Sequence, residues 1–441
     1  MKALILAAGK GRRLSQTSPK PLTSLLGWTL IERAILSTKK HGITDFVLVV
    51  GYKASEIISY LGSGKRLGVR ILYVENEDWE KENGLSVLKA KEALKGEDFI
   101  LLMSDHVFDQ DVLRILLDNH KENCALLVDR DLEGIANIED ATKLLLEDGV
   151  PRRIGKGLPH FNAVDCGMFY CTQEIFHALE KSTSEGKCEL SDAVQFLIDL
   201  GRLDVLDIGK RFWCDIDTPE CLRIAEKRML QLLTKPSDGF LSRHLNRKIS
   251  TRITRLLSIT KITPNQLSIT VFALSISSAL IFFLMTEYVH LAVAGILVQL
   301  SSILDGCDGE LARLKFMESE KGRFMDSVLD RYADAFIVIG LCYGYWNLTG
   351  NSFVWLAGFW ALTGSIVFSY TNARYESVFE REGNARIPVR RDLRLFLIMM
   401  GALSNQVLIT LLALAVLTNA EIVRRVISSG YRSRKGDVTV E

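Results

Sequence analysis

The segment LDGCDGELARLKFMESEKGRFMDSVLD, residues 304–330, places four aspartates between long apolar runs: Asp305, Asp308, Asp326 and Asp330. A carboxylate at the depth of a bilayer costs about 3 kcal/mol or more, so intramembrane aspartates are usually retained for a function. Two soluble helices with solvated acidic faces would give the same pattern. The sequence on either side distinguishes these two interpretations.

The charges of the chain are distributed unevenly. Its 441 residues together carry a formal net charge of +1, so no overall field would attract nucleic acid, and we expect no nucleic-acid partner. Charged residues recur every few positions before residue 260, whereas residues 266–286 contain none. Since roughly 20 apolar residues span a bilayer, the second half of the chain is predicted to be a membrane domain.

The hydrophobic pattern after residue 263 predicts six membrane spans, at 264–286, 289–313, 323–349, 352–378, 388–403 and 405–426. The fifth is short and weakly apolar. Lys and Arg are absent from the turns on one side, at 287–290, 346–352 and 403–406, and frequent in the turns on the other. By the positive-inside rule, we expect an integral protein of the cell membrane with both termini and the N-terminal half in the cytoplasm.

The sequence pattern divides the chain into four parts. Residues 1–232 alternate short apolar runs with amphipathic stretches, which predicts a Rossmann-like α/β domain with a mainly parallel sheet. Residues 233–262 form a basic linker, interpreted either as an amphipathic helix on an anionic membrane surface or as a solvated helix between domains. The all-α membrane domain occupies 263–430, and a basic tail follows at 431–441. The eight cysteines have no zinc-binding spacing and are expected to be reduced thiols.

The four aspartates fall near the cytoplasmic ends of the second and third predicted spans. Their spacings, i,i+3 in one pair and i,i+4 in the other, put each pair on one face of a helix. Two antiparallel helices joined by a short turn can therefore direct all four carboxylates to one place. A hard divalent cation would relieve their repulsion, because carboxylate oxygens suit Mg²⁺, Mn²⁺ or Ca²⁺.

The acidic segment also carries a longer pattern. D-x-x-D-G-x-x-A-R, eight residues, then G-x-x-x-D-x-x-x-D is matched at every fixed position: Asp305, Asp308, Gly309, Ala312, Arg313, Gly322, Asp326 and Asp330. With this pattern, residues 240–430 resemble the CDP-alcohol phosphotransferases. The resemblance implies a six-span domain that transfers an alcohol phosphate from a CDP-alcohol to an acceptor hydroxyl and releases CMP.

The same resemblance implies roles for individual residues. Asp305, Asp308 and Asp326 are expected to bind two divalent metal ions that hold the CDP pyrophosphate. Asp330 is expected to contact a metal and to deprotonate the acceptor hydroxyl, while Gly309 and Arg313 lie near the nucleotide. Three arginines are candidates for a pocket that binds the acceptor phosphate, although cytoplasmic loops carry arginine in any case: Arg374, Arg390 and Arg391.

The N-terminal half begins with a strand and a glycine-rich turn. ALIL, residues 3–6, runs into AAGKGRRL, 7–14, and then SPKPL, 18–22. Such a turn presents backbone N–H groups to phosphates, and Arg13 and Lys20 add positive charge. Glycines after a first strand would also suit a dinucleotide-binding fold. Together, however, L-A-A-G-x-G-x-R-L and the following P-K resemble the nucleotidyltransferases that make NDP-sugars and CDP-alcohols.

This second resemblance implies a nucleotide site. Ala8, Gly9 and Gly11 would cradle a nucleoside triphosphate, with Arg13 and Lys20 catalytic and Lys20 steadying the α-phosphate. Further candidates are a base-reading segment ENGLSVL with Asn83, Gly84 and Ser86, a first metal ligand Asp105, and a second metal ligand in WCDIDTPE, either Asp215 or Asp217. The sequence does not decide between the last two, and an isolated aspartate at the end of a strand otherwise caps a helix.

Three polar residues near these motifs have two interpretations each. His106 beside Asp105 is expected to be a packing residue or a neighbour of the metal ligands rather than a catalytic group. Glu189 and Asp192 in KCELSDAV are candidates for contacting a polyol, and equally for beginning a helix.

One half thus resembles an enzyme that makes an activated alcohol phosphate, and the other resembles one that consumes it. The fusion resembles a bifunctional family that couples CTP to inositol 1-phosphate and then transfers the phosphoinositol of CDP-inositol to a second inositol phosphate. No residue identifies inositol by its own chemistry, so the polyol and the acceptor stay open. The expected cofactor is Mg²⁺, or Mn²⁺, in both domains.

Two other functions fit parts of the sequence. A fused phospholipid synthase would use a lipid as donor or acceptor. A divalent-cation transporter with a nucleotide-sensing domain is disfavoured, because the outer halves of the spans carry no second group of acids. The expected partners are CTP, CDP-alcohol and polyol phosphate substrates, membrane lipid and, by resemblance, a second copy bound through the spans.

Overall fold

The computed structural model of the chain describes residues 1–11, 13–14, 18–119, 122–135, 137–234, 239, 241–378 and 390–436, without the side chains of 372–378 and 428–436. The chain forms two compact units that divide between Gln231 and Leu232, called unit 1 and unit 2 below. Each unit has its own hydrophobic core.

Unit 1 contains thirteen strands within the described residues. They are β1 Lys2–Ala7, β2 Ser24–Leu25, β3 Trp28–Thr29, β4 Asp45–Val50, β5 Arg70–Glu75, β6 Phe99–Met103, β7 His106–Phe108, β8 Cys124–Asp129, β9 Lys143–Glu147, β10 Val150–Gly155, β11 Ala163–Cys171, β12 Leu203–Asp207 and β13 Trp213–Asp215. Nine of them form one sheet in the order β10-β9-β11-β6-β1-β4-β5, with β8 and β12 joined to it through β11.

The strands around β1 are parallel, and β11 is antiparallel to its neighbours. The parallel part is explained by the sequence, because β1 and β6 are almost continuous apolar runs, as strands buried on both faces must be. Leu6 at the end of β1 pairs with Met103 at the end of β6. The segments that follow these two strands therefore meet at one edge of the sheet.

Unit 1 contains seven α-helices within the described residues. They are α1 Leu30–Lys39, α2 Ala54–Leu61, α3 Asn83–Lys89, α4 Val112–Asn119, α5 Glu174–Ser184, α6 Leu190–Asp199 and α7 Pro219–Leu232. Thr29 and Glu32 form a capping box at the start of α1, which satisfies backbone N–H groups that have no partner inside the helix. A 3-10 turn at Lys20–Leu22, shortly before β2, carries Lys20, one of the two predicted catalytic residues.

Unit 2 is helical in its described residues. Its helices are α8 Arg247–Ser258, α9 Pro264–Phe283, α10 Tyr288–Leu314, α11 Glu320–Thr349, α12 Phe353–Val378, α13 Arg391–Leu403 and α14 Val407–Gly436, and a π-helical turn at Ser242–Asn246 leads into α8. Thr263 caps α9 and Pro264 occupies its first position, where a proline costs no hydrogen bond.

Four of the described helices are long and apolar enough to cross a membrane: 264–283, 288–314, 353–371 and 407–427. The third and fifth predicted spans correspond to α11 and α13. The first half of α11 is rich in charged residues, and α13 has only 13 residues. Length and composition therefore support a membrane-embedded unit 2, while the count of six spans stays a prediction.

Candidate active sites

The site in unit 1 is a cavity of ≈ 470 Å³ at the edge of the sheet where β1 and β6 end. Most of the residues predicted for the nucleotide site line it: Ala8, Gly9, Gly11, Arg13, Lys20, Asn83, Ser86, Asp105, Asp215 and Asp217. Gly84 is buried beside them, where a Cβ atom would lie 2.5 Å from the carbonyl oxygen of Cys188. Segments that are distant in sequence thus meet at one cavity, as the motifs predict.

Lys20 is surrounded by three carboxylates. Its Nζ lies 2.5 Å from Asp105 Oδ2, 2.6 Å from Asp217 Oδ1 and 3.5 Å from Asp215 Oδ1, and only 7% of its side chain is exposed. Burial disfavours the ammonium, but the carboxylates outweigh burial and raise the pKa of Lys20 above its usual value. Lys20 is therefore a permanent cation in the cavity.

The same cluster separates the pKa values of its aspartates. Burial opposes ionisation of Asp105, but the Lys20 ammonium outweighs burial and lowers the pKa of Asp105 to about 2. Burial, followed by the charge of Asp105, raises the pKa of Asp215 to about 6. Asp105 therefore stays ionised to well below pH 6, whereas Asp215 takes up a proton near that pH.

The glycine-rich turn is fixed against this cluster. Gly11 has φ +56°, and a Cβ atom there would lie 2.5 Å from Lys20 Cβ, so both the backbone conformation and the close approach require glycine. Arg13 forms ion pairs with Asp140 and with Asp217, the latter at 2.8 Å from Nη2 to Oδ2. Asp217 thus contacts both predicted cationic residues.

Asp105, His106 and Asp215 form a group whose ligand atoms lie within 4.8 Å of one another, close enough to hold a metal ion. Strands β7 and β13 pair in a register that sets Asp215 opposite His106. Asp217, which the sequence left as an alternative to Asp215, lies outside this group. His106, which the sequence assigned to packing or to the neighbourhood of the metal ligands, belongs to this group, and its adjacency to Asp105 was the one available signal.

The predicted base-reading and polyol residues have local structural partners. Asn83 Oδ1 accepts a hydrogen bond from the backbone N–H of Leu190 at 2.9 Å, and Ser86 Oγ accepts one from Asn76 Nδ2 at 3.0 Å. Asp192 caps the start of α6 by accepting from the N–H of Glu189, so its helix-start interpretation agrees with the structure. Glu189 also lines the cavity.

In unit 2, three of the four aspartates from α10 and α11 come together. Ligand oxygens of Asp305, Asp326 and Asp330 lie within 4.8 Å of one another, in a second group able to hold a metal ion. Asp308 is buried beside them, and its Oδ2 accepts a hydrogen bond from Ser268 Oγ of α9 at 2.5 Å. The helical spacing read from the sequence therefore produces the expected convergence.

Arg391 at the start of α13 lies inside this acidic group. Its Nη1 is 2.8 Å from Asp330 Oδ1 and 3.1 Å from Asp305 Oδ1, and its Nε is 3.0 Å from Asp334 Oδ1. Asp334, one helical turn beyond Asp330, was not predicted, although its i,i+4 spacing could have indicated it.

The other predicted phosphate-binding residues are less closely grouped. Arg390 is exposed at the start of α13, and the side chain of Arg374 lies outside the described residues. Arg313 Nη2 donates to the carbonyl oxygen of Leu233 at 3.0 Å, and Gly309 lies one helical turn before Arg313. The pocket of three arginines stays a prediction, with Arg391 as the member that contacts the aspartates.

A buried polar network attaches α8 to α10. Glu310 is fully buried, and its carboxylate accepts from Arg247 Nη1 at 2.6 Å, Ser250 Oγ at 2.7 Å and Thr254 Oγ1 at 2.6 Å. The outer side of α8 exposes basic residues together with Leu256, so the polar side faces the protein. Sequence reasoning missed Glu310, because it occupies a variable position of the CDP-alcohol phosphotransferase pattern.

The two halves match two different families of known proteins. Residues 3–180 match the family model of the MobA-like NTP transferase domain, and residues 261–421 match that of the CDP-alcohol phosphatidyltransferases. A protein of Thermococcus kodakarensis named bifunctional IPC transferase and DIPP synthase is 36% identical over 431 residues, which cover 95% of this chain and 94% of that protein.

A protein of the same name from Rubrobacter xylanophilus is also 36% identical, over 97% of this chain and 96% of its own. Among solved structures, the inositol-1-phosphate CTP transferase from T. maritima is 29% identical, covers 51% of this chain and 93% of that chain, and has a TM-score of 0.46.

Proposed function

The chain belongs to the family of bifunctional IPC transferases and DIPP synthases, and from that premise we propose that it catalyses two consecutive reactions. Unit 1 couples CTP to inositol 1-phosphate and releases pyrophosphate, giving CDP-inositol. Unit 2 transfers the phosphoinositol of CDP-inositol to a hydroxyl of a second inositol phosphate and releases CMP. The observation that carries the proposal is that each unit has its own group of residues able to hold a metal ion, next to a buried cation.

In the first reaction, a phosphate oxygen of inositol 1-phosphate attacks the α-phosphorus of CTP and pyrophosphate leaves. The backbone of the turn at Gly9 and Gly11 binds phosphate oxygens, as N–H groups at such turns do. Lys20 donates to the α-phosphate and offsets the charge that develops there, and Arg13 approaches the leaving pyrophosphate. Because Lys20 is buried and already held in position, it needs little rearrangement during the reaction.

In the second reaction, Asp330 accepts the proton of the acceptor hydroxyl. The oxygen then attacks the phosphorus that bears inositol, and the bond from that phosphorus to the oxygen of CMP breaks. Arg391, 2.8 Å from Asp330, orients that carboxylate and offers further N–H groups toward a phosphate. Asp308 is held against Ser268, so its position is fixed while substrates enter.

Both groups of residues suit a divalent ion such as Mg²⁺ or Mn²⁺, because their carboxylate oxygens converge. Asp105 and Asp215 would hold it in unit 1, and Asp305, Asp308, Asp326 and Asp330 in unit 2. Such an ion, when bound, neutralises the negative charge of the phosphates. Asp217 is assigned to orienting Lys20 and Arg13 instead, since it contacts both.

The proposal includes an arrangement in the cell membrane. Unit 2 crosses the membrane six times, and residues 1–232 and both termini lie in the cytoplasm. The linker 233–262 rests on the anionic membrane surface through α8, where Leu256, and Ile259 directly after the helix, are exposed beside basic residues. A second copy binds through the helices of unit 2. The four apolar helices support the membrane location of unit 2, and the exposed apolar residues at α8 support its contact with the membrane surface.

Product analysis of the purified full chain tests the function. With CTP, Mg²⁺ and inositol 1-phosphate, we expect the chain to release pyrophosphate in the first reaction. Because a second molecule of inositol phosphate then acts as acceptor, we also expect it to release CMP. Consumption of CTP only with a different alcohol phosphate would overturn the inositol assignment. Release of CMP that requires an added lipid acceptor would favour the phospholipid synthase instead.

A further inference from the structure

The two groups able to hold a metal ion differ in their ligand atoms. The group in unit 2 consists of carboxylates alone, from Asp305, Asp326 and Asp330. The group in unit 1 combines two carboxylates with the imidazole of His106. Oxygen ligands suit Mg²⁺, whereas a nitrogen ligand increases the preference for transition-metal ions. The group in unit 1 is thus the one that offers a metal ion a nitrogen ligand, His106.

The orientation of His106 is fixed by a hydrogen bond. Its Nδ1 lies 2.8 Å from the carbonyl oxygen of Cys166. A carbonyl oxygen can only accept, so Nδ1 carries a proton, and in the neutral imidazole the lone pair is then on Nε2. Histidines that bind metal ions commonly donate the N–H of their other ring nitrogen to a carbonyl or carboxylate in this way. The neutral ring of His106 therefore has the tautomer that a metal ligand requires.

The lone pair of His106 faces both predicted metal ligands. Nε2 lies 3.9 Å from Asp105 Oδ1 and 3.8 Å from Asp215 Oδ1. Two atoms that each bind an ion at about 2.1 Å lie at most roughly 4.2 Å apart, so both separations fit a shared ion. Asp105 contacts Lys20 through its other oxygen, Oδ2. Asp105 can thus contact Lys20 through one oxygen and a metal ion through the other.

The surrounding backbone makes room for the ring in this position. Gly167 has φ +68°, and a Cβ atom there would lie 2.3 Å from His106 Cε1. The centroid of the Trp213 ring is 5.7 Å from that of His106, and 12% of the His106 side chain is exposed. The ring thus lies beside Gly167 and Trp213 with Nε2 within 3.9 Å of both carboxylates.

We propose that His106 is a nitrogen ligand of the metal ion in unit 1, and that unit 1 consequently prefers Mn²⁺ to Mg²⁺ more strongly than unit 2 does. The inference rests on the proposed function, since it assumes that a metal ion assists the reaction with CTP. Asp105 and Asp215 supply the oxygen ligands. Asp217 remains with Lys20 and Arg13.

Electron spin echo spectroscopy of the full chain loaded with Mn²⁺ tests the ligand directly, because a bound imidazole nitrogen modulates the Mn²⁺ echo. The variant Asp305→Asn/Asp326→Asn confines Mn²⁺ to unit 1, and we expect ¹⁴N modulation there. Adding His106→Gln should abolish it, whereas adding His41→Gln, a histidine bonded to Gln110 outside the cavity, should not. The variant Asp105→Asn/Asp215→Asn confines Mn²⁺ to unit 2, where no ¹⁴N modulation is expected.

Calorimetric titration supplies a second measurement on the same variants. His106→Gln should weaken Mn²⁺ binding to unit 1 by about tenfold or more, the size of loss that disturbing a histidine ligand produces, and should change Mg²⁺ binding less. Absence of ¹⁴N modulation in unit 1, or its persistence in His106→Gln, would overturn the inference. If the wild-type chain still releases pyrophosphate from CTP and inositol 1-phosphate, the proposed function survives that result; if it does not, the proposed function fails separately.

Discussion

The groups of residues that could hold a metal ion are positioned by different elements in the two units. In unit 2, Asp305, Asp326 and Asp330 come from two helices joined by the turn 315–319, and Arg391 closes the group. In unit 1, His106 and Asp215 lie on the paired strands β7 and β13, Asp105 directly precedes β7, and Lys20 comes from a turn far away in sequence. One group is therefore specified by local helical spacing and the other by the topology of a sheet. A substitution in one group should therefore slow one reaction and leave the other unchanged.

The largest expected effect is on unit 2 alone. Asp330→Asn removes the proposed base, so release of CMP from supplied CDP-inositol should fall roughly 10²–10⁴-fold. Release of pyrophosphate from CTP should stay unchanged, because that reaction uses unit 1. Glu320→Gln, an exposed carboxylate on the same helix, is the matched control and should leave both rates intact. Undiminished CMP release in Asp330→Asn would remove Asp330 from the mechanism.

The reciprocal substitution acts on unit 1. Lys20→Met removes the buried cation between Asp105 and Asp217, and pyrophosphate release should fall roughly 10²–10³-fold, as when a preorganised donor to a developing charge is lost. CMP release from supplied CDP-inositol should be normal. Lys40→Met changes an exposed lysine elsewhere in unit 1 and serves as control. Equal loss of both activities in Lys20→Met would show that the two sites are not independent.

A third prediction concerns the buried ion pair between Glu310 of α10 and Arg247 of α8 in unit 2. Glu310→Ala leaves Arg247 without the carboxylate that it contacts at 2.6 Å and should lower the free energy of unfolding by about 3–5 kcal/mol. Thermal unfolding in detergent measures this loss. The double variant Glu310→Met/Arg247→Met should recover much of it, since no unpaired charge remains buried. A double variant as unstable as Glu310→Ala would argue against this pairing.

The smallest predicted effect concerns the glycine-rich turn. Gly11→Ala forces a side chain into φ +56° and against Lys20, at a cost of about 1–2 kcal/mol. The kcat/KM for CTP in pyrophosphate release should therefore fall roughly tenfold, without change in CMP release. Gly157→Ala, where nothing lies within 4 Å of an added Cβ, is the control. Wild-type kinetics in Gly11→Ala would mean that the turn adapts freely.

The same contrast explains how much could be predicted from the sequence. The i,i+4 spacing of Asp326 and Asp330 puts them on one face of α11, and the short turn after α10 brings Asp305 to them, so this group follows from local information. The β1 turn and the α/β class followed from apolar runs and motifs. Asp215 could not be distinguished from Asp217, and His106 could not be placed beside Asp215, because both depend on the register of β7 with β13.

Two other features were also beyond local sequence. Glu310 has partners on α8, so its burial depends on how two separate helices pack. The number of spans is not decided by composition, since α11 combines a charged first half with an apolar second half. In each case the missing information concerns which distant segments meet.

The central claim is that one chain makes CDP-inositol and then consumes it. The most direct measurement follows ³²P from labelled inositol 1-phosphate through a time course with CTP, Mg²⁺ and the intact protein. We predict that label enters CDP-inositol first and then a phosphodiester between two inositols, as pyrophosphate and CMP are both released. Label that never leaves inositol 1-phosphate, or that reaches a diester without passing through CDP-inositol, would contradict the account.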